Sequence, residues 1–386
     1  MLIISFDAVG DDEFECLTEY PAFSKISKQA EIFRGVPTLF TSNTYPIHAS
    51  VATGVLPNIH GLTANTEPFP ARFPLWHFNE TGIHAKTLWQ AAYDAGIDTA
   101  AIFWPVTAHS KTIRYNIPEV MARPGKNQLA TSFWAGSRYL QFKMIKRYGR
   151  LLKGISQPER DNFAAACTAD ILREYKPGLV MVHLTAYDTI CHENGKGSET
   201  LKTAYEALDN NLALIMDAAG ENRETLIFSD HSQLNIHSSL EPNSLLVSEG
   251  LLYRENDAYT PGNSGCFIEC CGGSAFFHAG SLPAERVDEV RGIIARSEGF
   301  NRFLTGEEML VSGYKDITFG FCAKAGYCYH TYTSDHKAEH GYPPDMPDYN
   351  VFYLMRGSGM KPGRVNNGGS LLDIAPMAAK SLGITL

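Results

Sequence analysis

Residues 2–7 read Leu-Ile-Ile-Ser-Phe-Asp, residues 179–188 read Leu-Val-Met-Val-His-Leu-Thr-Ala-Tyr-Asp, and residues 225–231 read Thr-Leu-Ile-Phe-Ser-Asp-His. In each, a short apolar run, at residues 2–6, 179–184 and 225–228, is followed by a carboxylate. Runs of this length without polar alternation describe strands buried on both faces, as in a parallel sheet covered by helices. Residues 100–103 and 351–355 have the same character. Between the runs lie stretches with helical patterning, at 86–95, 160–175 and 199–218. Gly96 and Gly220 stand just past two of them, where a C-terminal cap is expected. Strands alternating with helices predict a three-layer α/β/α sandwich with a largely parallel central sheet, built as one domain over residues 1–386. Residues 110–156, richer in aromatic and basic side chains, predict a cap inserted on that core. Residues 262–326, with short strands and turns, predict a small subdomain.

Composition narrows the function classes. The chain has 386 residues, of which 44% are hydrophobic and 19% charged, enough to bury a large core. A net charge of -9 argues against a broad electrostatic grip on a nucleic-acid polymer. An anionic substrate would then be attracted by something local, such as bound cations. No apolar stretch of about 18 residues appears, so no membrane partner is expected. The N-terminus shows no basic region and no signal core, which reads as a cytoplasmic protein with its eight cysteines reduced. Cys266, Cys270 and Cys271 lack the CxxC spacing and matched histidines of a zinc site, and read as buried thiols.

In an open α/β sheet, ligands bind beyond the carboxyl ends of the strands. Asp7, Asp188, Asp230 and His231 all fall there. Asp188 and His192 stand four residues apart, so a helical turn places both on one face, where they can share a metal. Carboxylates and imidazoles suit zinc, and also manganese or iron; two such half-sites suggest a pair of divalent ions flanking an in-line displacement. A hydroxyl nucleophile is offered by residues 41–48, Thr-Ser-Asn-Thr-Tyr-Pro-Ile-His, at the start of a helical stretch whose amides favour phosphate. Of the thirteen histidines most are structural. His48 and His60 read as packing or capping residues, and His183, His330 and His336 have no role that the sequence assigns.

The run from Thr44 to Asn65, TYPIHASVATGVLPNIHGLTAN, resembles the nucleophile motif of the nucleotide pyrophosphatase/phosphodiesterase group of the alkaline phosphatase superfamily. The segment around His340, EHGYPPDMPDYNVFYLMRGSGMKPG, is similar to that group's His-Gly-Tyr region. Further similarity lies in residues 87–105, in CGGSAFF and near the C-terminus, and is weakest over 110–156. The resemblance implies Thr44 as nucleophile and Asn65 as donor to a phosphoryl oxygen. It implies one metal held by Asp7, Thr44, Asp230 and His231, and a second held by Asp188, His192 and His340. The implied reaction is hydrolysis of a small phosphodiester or nucleotide pyrophosphate through a phosphothreonine, with Tyr45 stacking on a base or aryl group. A phosphomonoester or phosphonate substrate, and a catalytically silent binding protein, are the competing readings. Two departures, Ile47 for the usual Asn and Val106 for the usual Gly, remove no implied metal ligand.

Overall fold

In the computed structural model, which describes residues 1–386 except 70, 72, 256 and 257, strand Leu2–Phe6 lies near the middle of an eight-stranded sheet. Its alternate side chains enter two separate cores. Leu2, Ile4 and Phe6 pack with Val180, Val182, Ile227 and the helices Pro21–Gln29, Glu159–Glu174 and Leu201–Ala219. Met1 and Ile3 pack with Met181, Leu226, Phe228 and the helices Thr44–Thr53, Leu88–Asp94 and Ile374–Leu382. The period of two in a strand therefore sets the two faces, and helices cover both. The architecture is the expected three-layer α/β/α sandwich.

Across the sheet the strands run Val365–Asn367, Glu31–Val36, Val351–Arg356, Thr225–Ser229, Leu2–Phe6, Leu179–Leu184, Thr99–Ile102 and Tyr115–Ile117. All pairings are parallel except the two made by Val351–Arg356, which runs against both neighbours. Gly220 caps the helix Leu201–Ala219 at φ 76°, and Gly96 follows the helix Leu88–Asp94 at φ 73°. Val106, at the position where the family pattern has Gly, is buried with φ 58°. That left-handed backbone explains the glycine and makes the β-branched residue here a strained exception.

A four-stranded antiparallel sheet of Phe267–Cys271, Ser274–His278, Phe319–Ala323 and Phe300–Phe303, with the helix Ala284–Ala295, forms its own core around Ile268, Phe277 and Phe321. Within residues 110–156, Tyr115–Ile117 joins the edge of the main sheet, whereas the helices Gln128–Ala135 and Arg138–Tyr148 stand outside it. A small three-stranded sheet pairs Leu234–Leu240 with Gly326–Tyr329 and, antiparallel, with Ala338–Glu339. It carries His340 back over the carboxyl end of the main sheet. No helix among the described residues is long and apolar enough to cross a membrane.

Candidate active site

Asp7 follows the strand Leu2–Phe6, and Asp230 and His231 follow its neighbour Thr225–Ser229, so parallel pairing brings the three together. Ala8 turns the chain there with φ 65° and donates its backbone N–H to Asp230 Oδ1 at 3.1 Å. His183, on the adjoining strand, lies 3.0 Å from Asp7 Oδ2 through Nε2. Each carboxylate thus has one oxygen braced. The others, Asp7 Oδ1 and Asp230 Oδ2, are buried without a hydrogen-bond partner, and each lies 3.5 Å from His231 Nε2.

Thr44 opens the helix Thr44–Thr53, and its Oγ1 lies 3.2 Å from the same nitrogen of His231. Four donor groups therefore surround one point, at the positive end of a helix. His48, one turn on, is fully buried. It contacts the Thr44 carbonyl oxygen at 2.8 Å and Ser5 Oγ at 2.9 Å, which pins the helix to the central strand. Asn65 accepts the Tyr45 backbone N–H on Oδ1 at 2.9 Å, and this fixes its amide so that Nδ2 is the free donor.

Asp188 and His192 lie on the helix Ala186–Asn194, with Asp188 Oδ1 3.2 Å from His192 Nε2. His192 Nδ1 donates to the Ala338 carbonyl at 2.8 Å and His340 Nδ1 to the Ser42 carbonyl at 3.2 Å; each ring thereby presents Nε2 to the site. Ligand atoms of Asp7, Asp230 and His231 lie within 4.8 Å of one another, as do those of Asp188, His231 and His340. The rings of His231 and His340 stack at 4.2 Å between the two groups. His192 and His340 form a further such group with Glu339, so the residues that the sequence reading assigns to the second metal fall in overlapping groups that share His340, and not in one.

Electrostatics follow from burial in this cluster. Burial, then the charges of Asp230 and Asp188, pushes the Asp7 carboxyl well above the usual range. Burial lowers His231 to about 4 and His340 to about 3, leaving both neutral with a lone pair to offer. Burial would also lower His192, but the charges of Asp188 and Glu339 outweigh it and lift the group to about 10. A metal ion at that pair would displace the proton.

Two residues without a sequence-assigned role belong to this network. His183 Nδ1 faces Glu119 at 3.6 Å, and Glu119 pairs with Arg160 at 2.7 Å, so a buried chain of charge leads outward from Asp7. Glu339 lies 3.7 Å from both His192 and His340 and holds His330 at 2.7 Å and His336 at 3.0 Å. Neither signal was local in sequence. His183 sits inside an apolar strand, and Glu339 becomes visible only when its strand pairs beside Leu234. Tyr45 is buried against Trp76, with ring centroids 5.4 Å apart, and lines a cavity beside the site. Trp89 and Trp104 are core residues; Phe103 lines the same cavity.

A largely parallel α/β/α sandwich with carboxylates, histidines and a hydroxyl gathered at its strand ends defines the alkaline phosphatase-like class. The chain belongs to the type I phosphodiesterase / nucleotide pyrophosphatase family, whose model matches residues 1–305. It is similar to human ectonucleotide pyrophosphatase/phosphodiesterase family member 5, with 28% identity over 114 residues. That match spans 28% of this chain and 24% of the human protein. The mouse ectonucleotide pyrophosphatase/phosphodiesterase 5 structure superposes over 100% of this chain and 95% of its own, with a TM-score of 0.72 at 15% identity. An inactive threonine-to-alanine form of the mouse protein, in complex with AMP, superposes with the same TM-score at 16% identity.

Proposed function

We propose that the protein is a two-metal phosphodiesterase in which Thr44 Oγ1 attacks phosphorus in line, forming a phosphothreonine that water then hydrolyses. One observation carries the reading: the unpartnered oxygens Asp7 Oδ1 and Asp230 Oδ2 converge on neutral His231 beside Thr44 Oγ1. Two buried carboxylates with bare oxygens facing each other repel, and a divalent cation relieves that repulsion. The donor set therefore fits a metal. Asp7, Thr44, Asp230 and His231 would hold one ion, and Asp188, His192 and His340 the other; oxygen and imidazole donors suit zinc, with manganese or iron as alternatives. When bound, such ions supply Lewis-acid stabilisation of phosphoryl charge and lower the pKa of a coordinated hydroxyl.

The chain's own residues do the rest. The helix Thr44–Thr53 points its N-terminus at the phosphoryl group, His48 holds that helix to the sheet, and Asn65 Nδ2 donates to a non-bridging oxygen. Nucleotides are the substrate class that best suits the resemblance, supported by AMP in the mouse relative. A cytoplasmic setting is part of the same proposal, supported by eight cysteines that all stand as free thiols.

Turnover of bis-p-nitrophenyl phosphate beside p-nitrophenyl phosphate, with zinc or manganese, tests the reading. Preference for the diester supports it. Preference for the monoester moves the protein to a phosphatase, and inactivity on both opens the phosphonate and silent-binder alternatives.

A further inference from the structure

Beside the residues proposed to hold the second ion, the stretch 328–339 brings together Cys328, His330, His336 and Glu339. It runs from the strand Gly326–Tyr329 to the strand Ala338–Glu339, which flank Leu234–Leu240 on its two sides. Cys328 and His330 stand at one end of the connecting segment and His336 and Glu339 at the other, so closing the segment gathers all four. Ligand atoms of Cys328, His330 and Glu339 lie within 4.8 Å of one another. His330 Nε2 is 2.7 Å and His336 Nδ1 3.0 Å from the same carboxylate oxygen, Glu339 Oε2. The two rings stand edge to face with centroids 5.5 Å apart.

The surroundings orient these groups. Ser239 Oγ bonds His330 Nδ1 at 2.9 Å and accepts the Ser334 N–H at 3.2 Å, so the ring presents Nε2 to the carboxylate. Ser334 Oγ in turn accepts the His336 N–H at 3.2 Å and fixes the backbone from which that ring projects. Imidazoles that ligate a metal are held in this manner, by a bond on the nitrogen that faces away from it. A buried thiol is ordinarily an inert packing group. Cys328 differs in its neighbours: it is fully buried, its contacts to the Ser238 carbonyl and to His330 Nδ1 are long, at 3.9 and 3.7 Å, and a carboxylate and imidazole lie within ligating reach. The His336 side chain is 41% exposed, which opens the cluster to solvent on one side. The other oxygen of Glu339, Oε1, lies 3.7 Å from both His192 and His340. One carboxylate therefore faces the second proposed catalytic ion with one oxygen and this cluster with the other.

We propose that Cys328, His330, His336 and Glu339 bind a third metal ion, zinc, separate from the two proposed beside Thr44. A thiolate, two imidazoles and a carboxylate form a mixed sulfur, nitrogen and oxygen set that suits zinc and fills its tetrahedral shell. With no position left open to water, the ion is structural rather than catalytic. Binding releases the thiol proton and any proton shared between Glu339 and the two rings. The ion clips the ends of the segment 330–337 together. Directly after that segment come Ala338, whose carbonyl accepts from His192 Nδ1, and His340, so the clip holds in place the strand that carries both contacts to the second catalytic ion.

The test uses the full chain loaded with cobalt(II) in place of zinc. Cobalt bound to a thiolate gives a charge-transfer band in the near ultraviolet, and neither ion proposed beside Thr44 has a cysteine among its ligands. The wild type should show this band and Cys328→Ala should lose it. With zinc, elemental analysis after removal of free metal should give the wild type one equivalent per chain more than Cys328→Ala. His336→Ala removes a ligand at a half-exposed position, where the fold does not depend on it. Competition with a chromogenic chelator should show that equivalent bound at least about tenfold more weakly, the lower end of what losing even an outer-shell partner costs. A wild type without the band at saturating cobalt overturns the site. So does a band that survives Cys328→Ala, which makes another cysteine the ligand, or a His336→Ala protein with unchanged affinity for every equivalent. Each of these results leaves the two-metal phosphodiesterase reading standing, and should Cys328→Ala fail to fold, the wild-type spectrum and His336→Ala decide.

Discussion

Asn65 offers a substitution that separates chemistry from structure. Its Oδ1 accepts the Tyr45 N–H at 2.9 Å, and its backbone carbonyl accepts His77 N–H at 2.9 Å; the second amide hydrogen-bonding group, Nδ2, is the proposed donor to the phosphoryl oxygen. Asn65→Ala removes both side-chain roles. The lost bond to Tyr45 N–H should lower stability by about 1 kcal/mol, the usual net worth of one such bond at a partly exposed position. Loss of a donor aimed at developing oxyanion charge should lower kcat by about 10²–10³, or about 2.7–4 kcal/mol of barrier. Asn65→Asp keeps an acceptor for Tyr45 and replaces the donor with an anion facing the phosphate. It should therefore unfold in urea within about 0.5 kcal/mol of the wild type yet lose at least as much activity as the alanine variant. Steady-state kinetics on an aryl phosphodiester and urea titrations of both variants are the assay. An Asn65→Asp protein with kcat/KM within threefold of wild type would refute the donor role and leave Asn65 as a brace for the helix start.

Metal removal should destabilise the fold, because Asp7 and Asp230 lose the cation between them; with free metal at about 100 times its dissociation constant, the linked stabilisation is about 2.7 kcal/mol. Thermal unfolding with and without a chelator measures this, and an unchanged midpoint would count against metals at these residues. His60 supplies a pH prediction. Burial lowers it to about 4, and its Nδ1 accepts the Leu62 N–H at 3.2 Å, so the folded state needs the neutral ring. The unfolded chain takes up a proton from pH 6.5 downward and the folded one only near 4; the group's contribution is therefore present above pH 6.5 and is lost as pH falls through that window, by up to about 1.4 kcal/mol per unit. Replacing His60 with Gln should flatten the acid limb of stability by about that slope, as read from urea titrations at pH 6.5 and 5.0, whereas an unchanged slope would show that His60 is not held neutral.

The strands that build the site were legible because burial on both faces leaves a continuous apolar signature. Leu2–Phe6 and Leu179–Leu184 occupy the residues the sequence marks, and Thr225–Ser229 and Val351–Arg356 extend by one. The run at 100–103 begins at Thr99 and stops short of Phe103, whose φ of 52° ends the strand. The strand Glu31–Val36 was not marked, since Glu31, Arg34 and Gly35 interrupt its apolar pattern. Nor does a fully buried strand declare its direction, which is why the reversal of Val351–Arg356 appears only in the pairing. Within the site, Asp188 and His192 were visible through helical spacing, and Thr44 and His340 through ordered motifs. Glu339 and His183 were not, because each acts through a contact made across the sheet rather than along the chain. The apolar cavity escaped for the same reason: its walls come from Tyr45, from the segment at 110–156 and from Phe163, far apart in sequence.

The central claim is that Thr44 carries the phosphoryl group during turnover. Acid quench of the metal-loaded protein during hydrolysis of thymidine 5′-monophosphate p-nitrophenyl ester, followed by peptide mass spectrometry, tests it directly. A thymidylyl adduct on the peptide containing Thr44, absent from Thr44→Ala together with turnover, is the predicted result. A Thr44→Ala protein that turns over at the wild-type rate, with no adduct on either protein, would contradict it.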